Sequence, residues 1–234
     1  GAPLSFLDHH LKAGNSLIGA EVDTVMDAIT GDLFGNIRGE ILRGTQFLQD
    51  AAFNTDATLQ DVADSAAAFR AYQDKMAPYK RLLDLWTAQH FGAPKGPTLV
   101  RDYAREVIDA YREGTGTVFT EYPDTVATAE RTAHDKRVFH WELEFPEVYY
   151  NLDTSKRRSN PGFDAVVGNP PYDVLIQSEQ DEQFIGYVNR KYESAQYNAN
   201  LYALFSELCV RVSHDGGRIG QIVKNSWLSQ ETLS

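Results

Sequence analysis

Cysteine is almost missing from this chain: Cys209 is the single one in 234 residues. An internal disulfide is therefore excluded, and a structural zinc site built on several cysteines has no ligands. Long apolar runs are missing too. Nothing approaches the ~18 uncharged residues that a membrane helix requires, and the first residues lack the basic, apolar, small-residue order of a signal peptide. A cytoplasmic, reduced setting without a membrane partner is the expectation. Positive charge is also scarce, since 22 Lys and Arg against 33 Asp and Glu leave a net charge of -11. Such a chain repels a polyanion at long range, so contact with nucleic acid has to come from local basic patches. No Glu-x-Lys occurs, so the nuclease pattern of Asp followed by Glu-x-Lys is absent, and any cleavage activity is expected elsewhere in a parent chain.

What is present is an ordinary globular composition, 42% hydrophobic and 24% charged, enough for one large domain or two small ones. The chain opens Gly1-Ala2-Pro3 and stops at Ser234 soon after the apolar run 219–223, which suggests a segment of a longer polypeptide. Residues 4–19 form a short opening zone with His9-His10 and the turn-like Gly14-Asn15-Ser16. Residues 21–134 read mostly as helix. Val62, Ala66, Phe69, Gln73 and Met76 recur at helical spacing, and Tyr79, Leu82, Leu83 and Trp86 continue the stripe. A glycine- and proline-rich loop at 91–97 separates it from a second face, Leu99, Tyr103, Val107 and Ala110. Core packing is the preferred reading of both stripes.

Beyond residue 137 the period changes. Phe139, Trp141, Leu143 and Phe145 alternate with His140, Glu142 and Glu144, predicting a half-buried strand whose glutamates share the solvent face. Residues 163–168, FDAVVG, predict a short buried strand. Leu201, Leu204, Phe205, Leu208 and Val212 predict a helix, followed by a turn at His214-Asp215-Gly216-Gly217 and a strand over 218–223. Strand, helix and strand in this order predict a βαβ unit of a parallel α/β sheet, whose ligands sit beyond the carboxyl ends of the strands.

Asn169-Pro170-Pro171-Tyr172 stands at that end. Neither proline has a backbone N–H, both have a fixed φ, and the residue before each is driven to an extended conformation. The result is a stiff loop. The Asn169 amide oxygen and the Pro170 carbonyl can accept hydrogen bonds from one exocyclic amino group, and Tyr172 offers a flat face for a ring. A rigid turn, or a Pro-Pro-Tyr ligand for a WW-type partner, is the blander alternative.

With its flanks, this tetrapeptide resembles the signature of S-adenosylmethionine-dependent amino-methyltransferases, chiefly those acting on adenine N6 in DNA. Residues 4–19 (LSFLDHHLKAGNSLIG), 81–92 (RLLDLWTAQHFG), 139–148 (FHWELEFPEV), 162–172 (GFDAVVGNPPY) and 216–227 (GGRIGQIVKNSW) look like the methylase region of type IIG and related single-chain restriction–modification enzymes. The resemblance implies a Rossmann-like α/β methyltransferase sheet interrupted by a largely helical insertion. Core segments would cover 1–20 and 137–234, and the insertion 21–136. It implies that Asn169 and Pro170 hold the N6 amino group of a flipped adenine, that Pro171 stiffens the loop and that Tyr172 stacks on the base. Asn15 falls where family members place a polar side chain against the cofactor's adenine, often an Asp. The implied partners are double-stranded DNA and the remaining parts of the same polypeptide.

Departures from the pattern accompany these matches. The glycine-rich loop and acidic residue that hold the cofactor's methionine and ribose are not found: Gly114-Thr115-Gly116 lies in a charged context, and Gly216-Gly217 with Gly220 leads into a strand. Lys156-Arg157-Arg158 and Arg190-Lys191, on either side of the tetrapeptide, are the candidate phosphate contacts, with a solvated loop as the plain alternative. Asp173 reads as a helix cap. His9, His10 and His140 lack partners at metal-ligand spacing and read as structural. Two rival functions stand beside the methyltransferase: N5-glutamine methylation of a protein, which also uses Asn-Pro-Pro-Tyr, and a non-catalytic helical interaction module centred on 21–134.

Overall fold

Met76, Tyr79, Leu82 and Leu83 of the expected stripe lie on a buried side of a helix, together with Tyr72 and Leu85, whereas Gln73 is exposed and Trp86 half-buried. The computed structural model describes residues 11–29, 59–151, 156–172, 182–197 and 200–223, with Gly39 and Thr154. His9, His10, Asp173, segment 224–234 and the side chains of Val62, Ala66 and Phe69 lie outside the described residues. The described chain divides into two units, residues 1–157 and 158–234.

In the first unit, α1 (Val22–Ala28) precedes a long helix α2 (Leu59–Ala88), then α3 (Gly96–Glu113), α4 (Thr117–Glu121) and α5 (Pro123–Asp135). α2 packs against α3 and α5. The turn between α2 and α3 uses Gly92 in the left-handed region, φ 98°, and a Cβ at Gly96 would overlap the Leu85 carbonyl oxygen. Only glycine lets the start of α3 lie this close to the α2 backbone. Within α3, Tyr103 leaves helical geometry (φ -133°, ψ 29°). Its ring is 41% exposed, so the kink takes Tyr103 off the buried face that Leu99, Val107 and Ala110 keep.

The predicted strand over 139–145 is not formed. His140 is extended, but Trp141–Glu144 is a single helical turn, α6, followed by α7 (Pro146–Tyr149). The His140 carbonyl accepts from Leu143 N (3.0 Å) and Glu144 N (2.9 Å), bonds that close a helical turn. Nor does burial alternate, because His140 and Glu142 are 0% and 5% exposed. Polar residues with buried partners imitated the solvent face of a strand. β1 (Tyr150–Asn151) and β2 (Lys156–Arg157) then pair antiparallel.

The second unit runs β3 (Phe163–Gly168), α8 (Glu182–Lys191), a 3₁₀ turn (Glu193–Tyr197), α9 (Leu201–Val212) and β4 (Ser213–Gln221). β3 and β4 pair in parallel, from Ala165↔Arg218 to Gly168↔Gln221. The expected turn at 214–217 is a bulge inside β4, since Phe163 faces Ser213 while Ala165 already faces Arg218. His214 steadies it: Nε2 lies 3.0 Å from Asp164 Oδ1 and Nδ1 2.7 Å from the Asp215 carbonyl oxygen. Two acceptors on two ring nitrogens favour the imidazolium, and the Asp215 carbonyl and then Asp164 raise the His214 pKa. α9 buries Leu204, Leu208, Cys209 and Val212. Val167 in β3 and Ile219 in β4 remain 85% and 43% exposed. No helix among the described residues is long and apolar enough to cross a membrane.

Candidate functional site

The tetrapeptide begins where β3 ends. Pro170 is buried, Asn169 and Pro171 are exposed, and Tyr172 is half-buried. Burial of Pro170 anchors the loop, and the same proline restricts Asn169 before it to extended backbone, with the Asn169 amide exposed. The Tyr172 hydroxyl lies 3.3 Å from Asn169 Oδ1 and 3.1 Å from the Ile222 carbonyl oxygen. A phenol has one proton, so it donates to one of these at a time. Beneath the loop, Ile222 N donates to the Gly168 carbonyl at 3.2 Å, carrying the β3–β4 ladder one residue past β4. The sequence reading missed this support. Its signal is Gln221, a polar residue inside the apolar run 219–223.

Asn15 belongs to the first unit. Its N–H donates to the Arg137 carbonyl at 2.7 Å, it bridges Val138, and its Oδ1 accepts from Leu17 N at 3.2 Å. Asn15 thus shapes the turn that fastens residues 15–23 to 137–142. Phe139 N continues the seam to the Ile18 carbonyl (2.7 Å), and Trp141 Nε1 donates to the Ser16 carbonyl (3.0 Å). A Cβ at Gly19 would overlap the Phe139 carbonyl oxygen, so this approach also requires glycine. The two sequence patches GNSLIG and HWELEF are therefore one structural element.

Two buried polar groups lock that element. His140 Nδ1 accepts from Ala20 N at 3.0 Å, which leaves the proton on Nε2 to donate to Asp84 Oδ1 at 2.9 Å. Burial pushes the His140 pKa down despite the Asp84 carboxylate. Burial also opposes charge on Asp84, but the His140 hydrogen bond and then Lys80 and Arg81 hold its carboxyl below the ordinary range. The pair is neutral imidazole on carboxylate. Glu142 Oε2 accepts from Val22 N (2.5 Å) and Asp23 N (3.3 Å), so it caps the first turn of α1 from 120 residues away. Burial raises the Glu142 pKa, while Arg157 and the Val22 N–H work against that rise.

Arg157, one of the expected phosphate contacts, is ion-paired within the first unit. Its Nη1 lies 2.5 Å from Glu142 Oε1 and 2.6 Å from Asp23 Oδ2, and its guanidinium lies over Tyr149 and Tyr150 at 5.9 and 5.8 Å. The reason is local: Glu142 is too buried to keep its charge without a cation. Lys191 is half-buried, with Nζ 2.8 Å from the Tyr187 hydroxyl. Lys156, Arg158 and Arg190 are exposed. Accordingly, Arg157→Ala should destabilise the fold by roughly 1–3 kcal/mol while leaving the salt dependence of DNA binding unchanged. Arg190→Ala should leave stability alone and lower the log K against log salt slope by about 1. Denaturant melts and salt titrations check both, and a changed slope for Arg157→Ala would return that residue to the phosphate set.

Among the described residues no strand opens into a glycine-rich turn and helix. No group of His, Cys, Asp and Glu among the described residues could hold a metal ion. The tetrapeptide presents an exposed amide, Asn169, beside a half-buried aromatic ring, Tyr172.

Comparison with known proteins gives one match, and neither curated proteins nor solved structures match the chain. The model of the family described as Eco57I restriction-modification methylase matches residues 41–234, a stretch that takes in the second unit and most of the first. The chain belongs to the Eco57I restriction-modification methylase family.

Proposed function

We infer that this chain carries the target-base half of an adenine-N6 DNA methyltransferase acting in a restriction–modification system, with β3 and β4 as two strands of a Rossmann-like sheet. The observation that carries the reading is the Asn169–Tyr172 loop, which follows β3 of a parallel pair and holds an exposed amide beside a half-buried ring. Membership of a methylase family favours DNA over a protein glutamine as the acceptor. S-adenosylmethionine is the proposed donor and supplies an electrophilic methyl group.

The residues of this chain act on the base. Asn169 Oδ1 and the Pro170 carbonyl accept the two N–H bonds of the adenine amino group. Holding both bonds out of the ring plane turns the nitrogen lone pair away from conjugation and towards the methyl donor. Methylation there would release the neutral thioether of the donor and, from the methylated ammonium, one proton to solvent, so the step depends on positioning rather than on a metal or a strong base. Tyr172 stacks on the extruded ring. That contact is worth ~1–3 kcal/mol, which offsets the few kcal/mol needed to take a base out of the duplex. The exposed Lys156, Arg158 and Arg190 are the proposed phosphate contacts on double-stranded DNA.

Incubating the full-length methylase with labelled S-adenosylmethionine and target-containing duplex, then digesting to nucleosides, tests the assignment. Label in N6-methyladenine is expected; label in cytosine or in protein glutamine overturns it. In the same assay Tyr172→Phe should keep substantial activity because it keeps the ring, whereas Tyr172→Ala should lose roughly 1–3 kcal/mol of base binding. Equal activity of Tyr172→Ala and wild type removes the stacking role.

A further inference from the structure

Stacking demands that a ring be held at one angle, and the loop itself does not do this for Tyr172. The Tyr172 hydroxyl has two acceptors, Asn169 Oδ1 at 3.3 Å and the Ile222 carbonyl oxygen at 3.1 Å. Donation to Asn169 occupies one lone pair of the oxygen that has to receive the adenine amino group. Donation to Ile222 leaves that oxygen to the substrate and ties the ring to the sheet. Which acceptor the hydroxyl uses therefore matters for capture of the base.

Ile222 follows Gln221, the last residue of β4. In the ladder Gln221 stands opposite Gly168, the residue before Asn169. Its side chain reaches back to α9, with Oε1 2.7 Å from Ser206 Oγ and Nε2 3.1 Å from Cys209 Sγ. Ser206 Oγ is also 2.8 Å from the Tyr202 carbonyl oxygen, so its single proton serves either acceptor. Ile222 N then bonds the Gly168 carbonyl at 3.2 Å. A continuous set of contacts thus runs from α9 through Gln221 to the Ile222 carbonyl and the Tyr172 hydroxyl. None of these groups touches the proposed base except Tyr172.

We propose that Gln221, clamped to Ser206 on α9, is a positioning residue for base capture: it holds the Ile222 carbonyl as the anchor of the Tyr172 hydroxyl and so keeps Asn169 Oδ1 open for the target amino group. This rests on the adenine-N6 reading. It explains why a polar residue interrupts an apolar strand end, and it gives the tyrosine hydroxyl a task that its ring does not need.

A double-mutant cycle on the full-length enzyme tests it, since residues acting through one another are non-additive. Gln221→Ala and Ser206→Ala are each made in the wild-type and Tyr172→Phe backgrounds. The readouts are KM for target duplex, the fluorescence of 2-aminopurine at the target position, and thermal melting. In the wild-type background Gln221→Ala should raise KM about fivefold, as for one hydrogen bond lost, and weaken the 2-aminopurine signal only through the loosened Tyr172 ring, because that base has no 6-amino group for Asn169. Ser206→Ala should act in the same direction. In the Tyr172→Phe background, which has no hydroxyl to anchor, both effects should fall below about twofold. Equal effects in both backgrounds, or none in either, overturn the proposal while leaving the functional reading intact. Should Gln221→Ala fail to fold, Ser206→Ala decides by the same comparison. A wild-type enzyme that forms no N6-methyladenine overturns the functional reading, and this proposal with it.

Discussion

Replacing His140 with alanine should lower the unfolding free energy by roughly 3–5 kcal/mol, because two buried groups lose their partner at once. Asp84, 2% exposed, would keep a charge whose hydrogen bond is gone, with only Lys80 at 3.4 Å and Arg81 at 3.3 Å to compensate it. Ala20 N would lose its acceptor 120 residues away in sequence. Denaturant titration of wild type and variant at neutral pH measures the loss, and a change below about 1 kcal/mol would show that water reaches the pair. The same pair dictates an acid sensitivity. The folded-state pKa of His140 lies below its ordinary 6.5, so the unfolded chain takes up a proton that the folded chain refuses. This contribution to stability is complete above about pH 6.5 and is lost as pH falls through the folded value. Asp84, held below 3.8, adds a second loss at lower pH. His140→Ala should remove the first of these from the stability profile.

Period-three and -four spacing exposed the helices of the first unit because their buried residues are apolar, and Tyr79, Leu82 and Leu83 lie where the stripe put them. The same logic failed at 139–145. There the buried positions include His140 and Glu142, whose partners Asp84, Ala20, Val22 and Arg157 come from distant parts of the chain. A pattern of polarity records burial only when buried residues are apolar, so a tertiary cap such as Glu142 on α1 reads as solvent-facing charge. Arg157 carries a second role that a basic run does not announce: it pairs with a buried carboxylate, Glu142, 15 residues earlier in the chain. In the second unit the strand FDAVVG and the helix after Asn200 form where expected, but β3 is not the buried strand its apolar residues suggested, since none of its residues is buried and Val167 is 85% exposed. What the sequence hid was the bulge at 214–217, which depends on His214 meeting Asp164 across the pair. Of the candidate site, the tetrapeptide was legible from proline chemistry alone. Its support was not, because the Ile222 carbonyl leaves no mark in a sequence and Gln221 shows there only as a polar interruption of an apolar run.

Asn169→Ala should reduce methyl transfer by the full-length enzyme by ~10²–10³-fold, the scale on which removal of one preorganised hydrogen-bonding partner of a reacting group is felt. The fold should not suffer. Asn169 is exposed, its Oδ1 is met within the described chain by the Tyr172 hydroxyl at 3.3 Å, and that hydroxyl has the Ile222 carbonyl as its alternative acceptor. The loss therefore has to come from the substrate side, where the adenine amino group would keep the Pro170 carbonyl and lose its second acceptor. With one acceptor the nitrogen stays conjugated with the ring and its lone pair stays unavailable, so single-turnover methylation should slow while cofactor affinity stays within about twofold. Stacking on Tyr172 does not need the amide, so 2-aminopurine at the target position should still report an extruded base. Single-turnover kinetics, cofactor titration and 2-aminopurine fluorescence on one variant separate these effects. Collapse of cofactor affinity with extrusion and chemistry preserved would place Asn169 on the donor side of the reaction and overturn its assignment to the base.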